Sequence, residues 1–388
     1  MNKKILILLL MLIPLISGCW DAKEAERMLY IHGIGVDYKD GKYEIYTQII
    51  SFANIAKSEQ PANHETIQAE VGHASGKTDH EAFYNLYKSL DEELYWGHLE
   101  YIVFSEDLLK SGEMNSYINS FMRFYNTRYQ TWVYSTKESL EDILLVSPIL
   151  NKAISLSKLS DPLNSFRQDS TIEPLKVREL ILNLDEPGYE ANIPSVSISK
   201  NWETEKDKHP ITDINGVSIV SQKEFKGNIS GDKVKGLGWM NENTKRAELT
   251  IMLEDSESGG KRYITANGKV ANLKVEPIVK KNSVSFDVNV KLKVELRGFQ
   301  GSINEKEVRK EVEKEVEKEI NDTYTAGLNI NSDVFRLSEY LYRKDVGAWK
   351  KFQKDGKVEL KENSIRNINV DVVSVYAGRK NFNETIRR

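Results

Sequence analysis

The segment Val284–Leu296 reads VSFDVNVKLKVEL and alternates apolar and polar side chains along most of its length. Its polar members are Asp287, Asn289, Lys291, Lys293 and Glu295, and its apolar members are Val288, Val290, Leu292, Val294 and Leu296. Successive side chains of a strand point to opposite faces of a sheet, so one set lies in water and the other is buried. The segment therefore predicts a sheet with one solvated face and one dry face that needs a cover.

The neighbouring sequence supplies more strands and the cover. Ala247–Glu254 and Arg262–Val275 alternate in the same way and predict two further strands. In Asn304–Thr325, four apolar residues recur every four positions among Glu, Lys and Arg, namely Val308, Val312, Val316 and Ile320. A helix laid across the dry face is favoured over a coiled coil, because a strict four-residue spacing drifts around a helix and does not hold a heptad seam.

A further helix over Asp333–Trp349 and a last strand over Ile365–Tyr376 complete this half of the chain. The predicted order is β-β-β-α-α-β in a C-terminal α+β domain, 207–388, whose antiparallel sheet is covered by long helices. The chain has room for other domains, since 388 residues, 40% of them hydrophobic, exceed what a single core usually holds.

The first half of the chain predicts an N-terminal α/β domain over 19–136. Its predicted elements are a hairpin of Met28–Asp37 and Lys42–Phe52 around Asp40-Gly41, a third strand Thr66–Val71, a helix Thr78–Tyr95, a strand His98–Phe104, a helix Glu106–Tyr125 and a strand Tyr129–Tyr134. Thr78 is the predicted N-cap of the first helix, since Glu81 follows three residues later.

A mostly helical middle lobe and linker are predicted for 137–206, and this lobe can pack with the N-terminal domain. Pro148, Pro162 and Pro174 divide it into short pieces. Asn201–Pro210 is charged and poor in apolar residues, so it is the best candidate for the main linker. The predicted fold class is therefore a multi-domain α+β protein with mixed α/β content.

Residues 1–18 predict a lipoprotein signal peptide. Lysines precede an apolar run, Ile5–Ile16, that is too short to span a bilayer. The following Ser17-Gly18-Cys19 completes a motif similar to a bacterial lipobox, in which a peptidase cuts the Gly18–Cys19 bond and Cys19 carries S-diacylglycerol and N-acyl groups. Two acyl chains anchor a protein stably where one is marginal. An ordinary signal peptide and an uncleaved anchor are the alternatives, but Cys19 is the only cysteine of the chain.

Composition excludes several classes of protein. Lys+Arg 54 against Asp+Glu 58 leaves a formal net charge of -4, so the chain lacks the basic footprint of a nucleic-acid-binding protein. A single cysteine allows neither an intramolecular disulfide nor a metal site built from several thiolates. Aromatic residues, Tyr95 and Tyr129 among them, crowd the N-terminal half, where a place in the core is favoured over a partner or membrane interface.

The sequence offers no case for catalysis. His73 and His80 are the strongest metal candidates, but surface loop histidines are the favoured interpretation. Gly33-x-Gly35 lacks a third glycine and a following helix, so it fails as a dinucleotide-binding loop. The sequence contains no Gly-x-Ser-x-Gly elbow and no Walker A loop. The prediction is therefore no enzyme, no metal site, and no cofactor apart from the covalent lipid on Cys19.

Several short motifs follow one another along the mature chain. They are Gly18-Cys19-Trp20-Asp21, Gly33-Ile34-Gly35-Val36-Asp37, His98–Glu106, Gly216–Val220, Gly236-Leu237-Gly238-Trp239, Asn331-Ser332-Asp333-Val334-Phe335 and Trp349-Lys350-Lys351. This ordered set resembles the Ger(x)C lipoproteins, the C subunits of spore germinant receptors in endospore-forming Firmicutes. One departure is Arg336-Leu337-Ser338, which stands where members of the family often carry a Gly-Phe-Gly-like run.

The resemblance implies a three-domain, mixed α/β, non-enzymatic subunit of a receptor that starts spore germination in response to small nutrients. Cys19 would anchor it to the outer face of the cytoplasmic membrane, the inner membrane of the spore, beside membrane subunits A and B. Asn331, Asp333 and Phe335 are carried over only as a family marker, with a structural turn entering a helix as the expected role. Direct contact with germinant stays open.

Two other classes of protein compete with this interpretation. A lipid-anchored solute-binding protein usually has two lobes of βαβ repeats, and the antiparallel second half argues against it. A hydrolase of the cell envelope is disfavoured because the sequence lacks a catalytic constellation.

Overall fold

The structure is a computed structural model that describes residues 27–50, 69–123, 128–205, 207–254, 260–299, 303–378 and 382. Within these ranges the strands form a ten-stranded sheet, a four-stranded sheet and one two-stranded hairpin. Helices cover both larger sheets, which confirms the predicted mixed α+β class. Gly18 and Cys19 lie outside the described residues.

The larger sheet forms the first unit of the protein. Its strands are β1 (Met28–Lys39), β2 (Lys42–Ile50), β3 (Ala69–Gly76), β4 (Glu93–Tyr95), β5 (Tyr101–Ser105), β6 (Trp132–Thr136), β7 (Leu175–Lys176), β8 (Glu190–Glu203), β9 (Lys208–Ser221) and β10 (Phe225–Ser230). They lie in the order β10-β9-β8-β6-β5-β1-β2-β3, with β4 beside β1 and β7 beside β6. The central strands β1, β5, β6 and β8 pair in parallel, and the outer hairpins are antiparallel.

Helices bury both faces of this sheet. They are α1 (Asp79–Tyr87), α2 (Glu106–Ser111), α3 (Met114–Phe121), α4 (Leu140–Leu145), α5 (Pro162–Phe166) and α6 (Val177–Asp185). Side chains of α1, α2, α3 and α6 pack on one face, around Ile34 and Ile102. α4 packs on the other face, around Tyr101 and Tyr134. Parallel strands usually need such a cover on each side.

In this unit, short sequence motifs predicted the positions of turns better than they predicted the lengths of helices. Asp40 and Gly41 have φ of 51° and 74° and close the predicted β1–β2 hairpin. Thr78 caps α1, as predicted, by accepting a hydrogen bond from a first-turn amide. The single helix predicted over Glu106–Tyr125 is wrong, because Gly112 adopts φ of 80° and ends α2 there.

The linker predicted at Asn201–Pro210 is also wrong. β8 and β9 pair through this region, with Trp202 opposite His209 and Glu203 opposite Lys208. β6 pairs with β8 only at Ser195 and Val196, and β10 pairs with β9 only over Gly216–Val220, so the described part of the hairpin around Trp202 and His209 has no further strand beside it and its composition resembles that of a linker. The sheet therefore includes both β8 and β9 and ends with β10.

The second unit contains the strands that the alternating sequence predicted. Its sheet has the order β11 (Ala247–Glu254), β12 (Lys261–Val279), β13 (Val284–Gly298) and β16 (Ile365–Tyr376), and a small hairpin pairs β14 (Gln353–Lys354) with β15 (Lys357–Val358). Its helices are α7 (Gly236–Trp239), α8 (Glu305–Asn329), α9 (Leu337–Lys344) and α10 (Val346–Phe352). The apolar stripe of α8 is confirmed, since Val308, Val312, Val316 and Ile320 are each 0% exposed.

The second sheet is not wholly antiparallel as predicted. β16 runs parallel to β13, with Val288 opposite Ile368. Three helices carry the chain back over the sheet between these two strands, and a crossover of this kind returns the chain in the same direction. The helix expected over Asp333–Trp349 is divided between α9 and α10, because Asp345 caps a new helix by accepting from the amide of Ala348.

Candidate functional site

The marker segment Asn331–Phe335 lies where the two units meet. It connects the end of α8 to the start of α9, and it packs against the beginning of β8 in the first sheet. The side-chain amide of Asn192 on β8 donates to the carbonyl oxygen of Val334 at 2.9 Å. The predicted marker residues therefore belong to a contact between the two units of the chain.

Glu190, the first residue of β8, is the centre of this contact and is 3% exposed. Its carboxylate accepts hydrogen bonds from the hydroxyl of Ser332 and the amide of Asp333, both at 2.8 Å. The Nζ atom of Lys357 lies 2.9 Å from the same carboxylate and donates to the carbonyl of Asn331 at 2.7 Å. A buried carboxylate is tolerated only when it is paired in this way. We call this set the Glu190 junction; it consists of Glu190, Asn331, Ser332, Asp333, Arg336 and Lys357.

Asp333 caps α9 from within the junction. Its two carboxylate oxygens accept hydrogen bonds from the amides of Leu337 and Ser338, each at 2.7 Å. Complete burial raises the pKa of Asp333 above its ordinary value, while these amide donors act in the opposite direction. The carboxylate therefore satisfies two helix-terminal N–H groups that lack intrahelical partners. Through these bonds the segment forms a turn at the start of α9.

Arg336 gives a physical reason for the departure from the family pattern. Its φ of 55° lies in the left-handed region, which glycine adopts freely but which costs another residue about 1–2 kcal/mol. Its guanidinium donates to the carbonyl oxygens of Asn183 and Glu190 and to the carboxylate of Glu339. These charge-assisted bonds offset the strain that a glycine at this position does not have.

The other marker residues have structural roles as well. Phe335 is 7% exposed and stacks on Tyr324 of α8, with ring centroids 6.3 Å apart. Asn331 turns the chain with φ of 53°. Sequence reasoning missed Glu190 and Lys357, which are 167 residues apart, because an isolated charge in a strand has no local pattern that reveals its partner.

We expect Arg336→Ala to lower the free energy of unfolding by about 2–4 kcal/mol, because three hydrogen bonds are lost while the left-handed strain remains. Arg336→Gly loses the same bonds but also removes the strain, so it should be about 1 kcal/mol more stable than the alanine variant. Urea denaturation measures both differences.

Arg343→Ala is the matched control, because this 65% exposed side chain binds Glu186 and Glu339 at the surface. Its cost should stay below about 1 kcal/mol. Equal costs at positions 336 and 343 would show that the buried bonds of Arg336 contribute no more than a surface ion pair does.

A second buried polar contact joins α7 to α8. The indole Nε1 of Trp239, which is 0% exposed, donates to the carboxylate of Glu319 at 2.6 Å. The amide of Gly236 donates to the hydroxyl of Thr323 at 2.9 Å. A Cβ atom on Gly236 would lie 2.6 Å from the carbonyl oxygen of Glu319, so only glycine allows this approach. The Gly236–Trp239 motif is therefore a packing motif against α8.

This contact predicts a pH-dependent stability. Burial raises the pKa of Glu319 to about 7, and the bond from Trp239 opposes that rise. Folding therefore favours the protonated carboxyl, so its stabilisation is complete below the unfolded pKa of about 4.5 and is lost as pH rises through about 7. We expect the free energy of unfolding to fall by about 2 kcal/mol between pH 5.5 and pH 8 on account of this group.

Glu319→Gln isolates this effect, because the amide oxygen still accepts from Trp239 but does not titrate. Urea denaturation of both proteins at several pH values should show the larger decrease only in the wild-type protein. Parallel pH profiles for the two proteins would contradict the assignment to Glu319.

The candidate metal and catalytic side chains each have structural partners. His73 lies 2.6 Å from Glu44, whereas His80 lies 3.2 Å from Asp79, so the two histidines do not share a site. Ser120 lies within hydrogen-bond distance of Asp79 and of the Nδ1 atom of His80, the same nitrogen that contacts Asp79. A Ser-His-Asp relay needs the serine at one ring nitrogen and the aspartate at the other, so these three residues do not form one. In the part of the chain that the structure describes, no cluster of three or more His, Cys, Asp or Glu residues could hold a metal ion.

Both units match domains of spore germination proteins. Residues 21–198 match the spore germination protein N-terminal domain, and residues 215–374 match the spore germination B3/GerAC-like C-terminal domain. The two matches, in this order, define the class as a spore germination protein. The chain belongs to the Ger(x)C family.

Similar proteins agree with this assignment. The chain is 25% identical to spore germination protein A3 of Bacillus subtilis (strain 168) over 223 residues, which span 53% of this chain and only 57% of that protein. It is 22% identical to spore germination protein B3 of the same organism over 295 residues, 75% of this chain and 73% of the relative. The crystal structure of the GerBC protein shares the fold, with a TM-score of 0.53, 17% identity, and coverage of 89% of this chain and 97% of that chain.

Proposed function

We propose that this chain is the lipid-anchored C subunit of a nutrient germinant receptor in the spore inner membrane. The observation that carries the proposal is that both units, over 21–198 and 215–374, match spore germination domains. Its partners are then the membrane subunits A and B of the receptor. Its work is docking and transmission of a conformational signal, by which the response to small germinants starts germination.

Attachment to the membrane is assigned to the lipid on Cys19. The motif Ile16-Ser17-Gly18-Cys19 supports this assignment, because cleavage before Cys19 leaves the only thiol of the chain at the new N-terminus. Among the described residues, no helix is both long and apolar enough to cross a bilayer. The proposed lipid would hold the protein on the outer face of the membrane that becomes the inner membrane of the spore.

A non-catalytic role is supported by the way the buried carboxylates are used. Glu190 and Asp333 are occupied by internal donors, and Glu319 binds the indole of Trp239. Groups committed to structural bonds in this way are not free to transfer protons to a substrate. The arrangement suits a subunit whose two units act together.

A lipid-anchored solute-binding protein is the second candidate. It is favoured by a cleft of about 450 Å³ beside the Glu190 junction, whose volume suits a small solute. The cleft is lined by charged side chains such as Lys223, Glu224 and Asp355, which already form ion pairs. Titration of the purified protein with germinants separates the two candidates, because tight binding raises the melting temperature.

The main test is release of dipicolinate from spores that lack this chain, over a panel of amino acids, sugars and nucleosides. We expect the response to one class of germinant to be lost and the others to be kept. Restoring the wild-type gene should recover the response, whereas Cys19→Ala should fail because it cannot be lipidated. Ser17→Ala is the matched control, since it keeps a small side chain before the cleavage site. An unchanged response of the deletion across the panel would contradict the proposal.

A further inference from the structure

The surface of interest is the end of the first sheet at which β1 begins. β1, β4, β5 and β6 are parallel, so all four start toward the same end of the sheet, with β5 and β6 beginning level with Gly33, five residues after the start of β1. Met28 lies opposite Glu93, and Tyr101 lies opposite Trp132. The described chain therefore emerges toward Cys19 from this end, which we call the β1-start end.

Aromatic side chains are exposed at the β1-start end. Tyr95 of β4 lies opposite Tyr30 and is 37% exposed. Tyr129, three residues before β6, is 54% exposed. Tyrosine combines an apolar ring with a polar hydroxyl and is enriched where proteins meet the headgroup layer of a bilayer.

A loop adds large aliphatic side chains to the same end. Ile154 packs against Tyr30 and Ile50, so the short turns around it are held over the start of β1. On either side of Ile154, Leu150 is 80% exposed and Leu156 is 63% exposed. The cluster thus joins exposed aliphatic residues to the strand that leads toward the anchor.

Leu150 is costly in the isolated chain. Its φ of 60° and ψ of 27° are left-handed, which costs an ordinary residue about 1–2 kcal/mol. Its side chain is 80% exposed, so burial offsets little of this strain. An exposed leucine with a strained backbone is accounted for when its side chain enters an apolar environment outside the protein.

The short distance to the proposed anchor at Cys19 identifies the lipid bilayer as this apolar environment. Seven residues lie between Cys19 and Arg27, the first described residue, and the eight steps from one to the other span at most about 29 Å. A lipid on Cys19 therefore keeps the β1-start end within this distance of the bilayer. The bilayer is therefore the occupant to which the proposed anchor ties this end.

We infer that the β1-start end rests on the lipid bilayer, with Leu150 and Leu156 in the boundary between headgroups and acyl chains. Tyr95 and Tyr129 lie at the level of the headgroups. The contact sets the orientation of the anchored protein. This inference rests on the lipid anchor of the proposed function.

The charged side chains at the β1-start end predict that the contact depends on insertion of apolar side chains and not on attraction to anionic lipid. Arg128 and Lys152 are exposed there, but so are Glu92 and Glu93. Charges of both signs give no strong attraction to anionic lipid. Protection of Leu150 from water should therefore change little when anionic lipid replaces neutral lipid.

The test uses the lipidated full chain in phosphatidylcholine vesicles, with and without phosphatidylglycerol. Leu150→Cys introduces a single free thiol, because the thiol of Cys19 is occupied by lipid, and an environment-sensitive fluorophore is attached to it. Val346→Cys is the matched control, since Val346 is 44% exposed on the second unit. Quenching by iodide then reports how much water reaches each probe.

We expect iodide to quench the probe at position 150 several-fold less than the probe at 346, together with a blue shift of its emission. Equal quenching of both probes, in protein whose lipid is confirmed by mass spectrometry, would overturn the inference and leave the anchor intact. If the probe at position 150 is protected only when the other receptor subunits are present, this end contacts protein and the inferred contact with the bilayer is wrong. Absence of lipid in the mass spectrum would overturn the anchor and this inference together.

Discussion

Replacing Glu190 with alanine should lower the free energy of unfolding by about 3–5 kcal/mol, the cost of breaking a buried ion pair by removing one partner. The variant leaves the ammonium of Lys357, the hydroxyl of Ser332 and the amide of Asp333 without their acceptor. Ser332 and Asp333 are buried and the side chain of Lys357 is 22% exposed, so hydration restores only part of the loss. Urea denaturation followed by circular dichroism measures the change.

A double-mutant cycle makes this prediction specific. Lys357→Ala in the Glu190→Ala background should restore part of the stability, because it removes the unpaired cation. Lys223→Ala serves as a control, since its ion pair with Asp355 borders the same cleft but is 75% and 69% exposed. It should cost less than about 1 kcal/mol. A Glu190→Ala protein as stable as the Lys223→Ala protein would show that the junction does not join the units.

Replacing Trp239 with alanine should cost about 3–5 kcal/mol, the range for removing a fully buried aromatic side chain. The indole fills the space beside Gly268, where an added Cβ would lie 2.6 Å from the ring. The variant therefore leaves a cavity under α8 and also leaves Glu319 without its hydrogen-bond donor. Denaturation is followed by circular dichroism, because removing a tryptophan changes the fluorescence signal of the protein.

Two other variants separate packing from hydrogen bonding. Trp239→Phe keeps most of the ring but loses the N–H donor, so it should cost less than alanine and should raise the pKa of Glu319 further. Trp202→Ala removes a tryptophan that is 52% exposed at the β8–β9 hairpin, and it should change stability by less than about 1 kcal/mol. Similar losses from Trp202→Ala and Trp239→Ala would contradict the assigned role of burial.

The predictable parts of the fold are those whose signal is local. The β1–β2 hairpin follows from Asp40-Gly41 between two alternating runs, and α1 follows from its Thr78 cap. The stripe of α8 and the alternation of β13 specify which faces are buried, because a fixed period defines a face whatever lies against it. Cys19 likewise is assigned from its short motif alone, and it lies outside the described residues.

The less predictable parts depend on partners that are distant in the sequence. The β8–β9 hairpin was mistaken for a linker because its composition reflects exposure rather than backbone pairing. The parallel direction of β16 depends on how three helices cross the sheet.

The sequence by itself determined the family, the alternating strands and the helical stripe, since these are properties of neighbouring residues, and on the same kind of signal it predicts the lipobox at Cys19. Only the tertiary structure decided that Glu190 binds Ser332, 142 residues away, and that Lys357 neutralises it. The physical reason is that a buried charge requires a partner but does not specify which one. Chain topology makes that choice when it brings the start of β8 against the turn between α8 and α9.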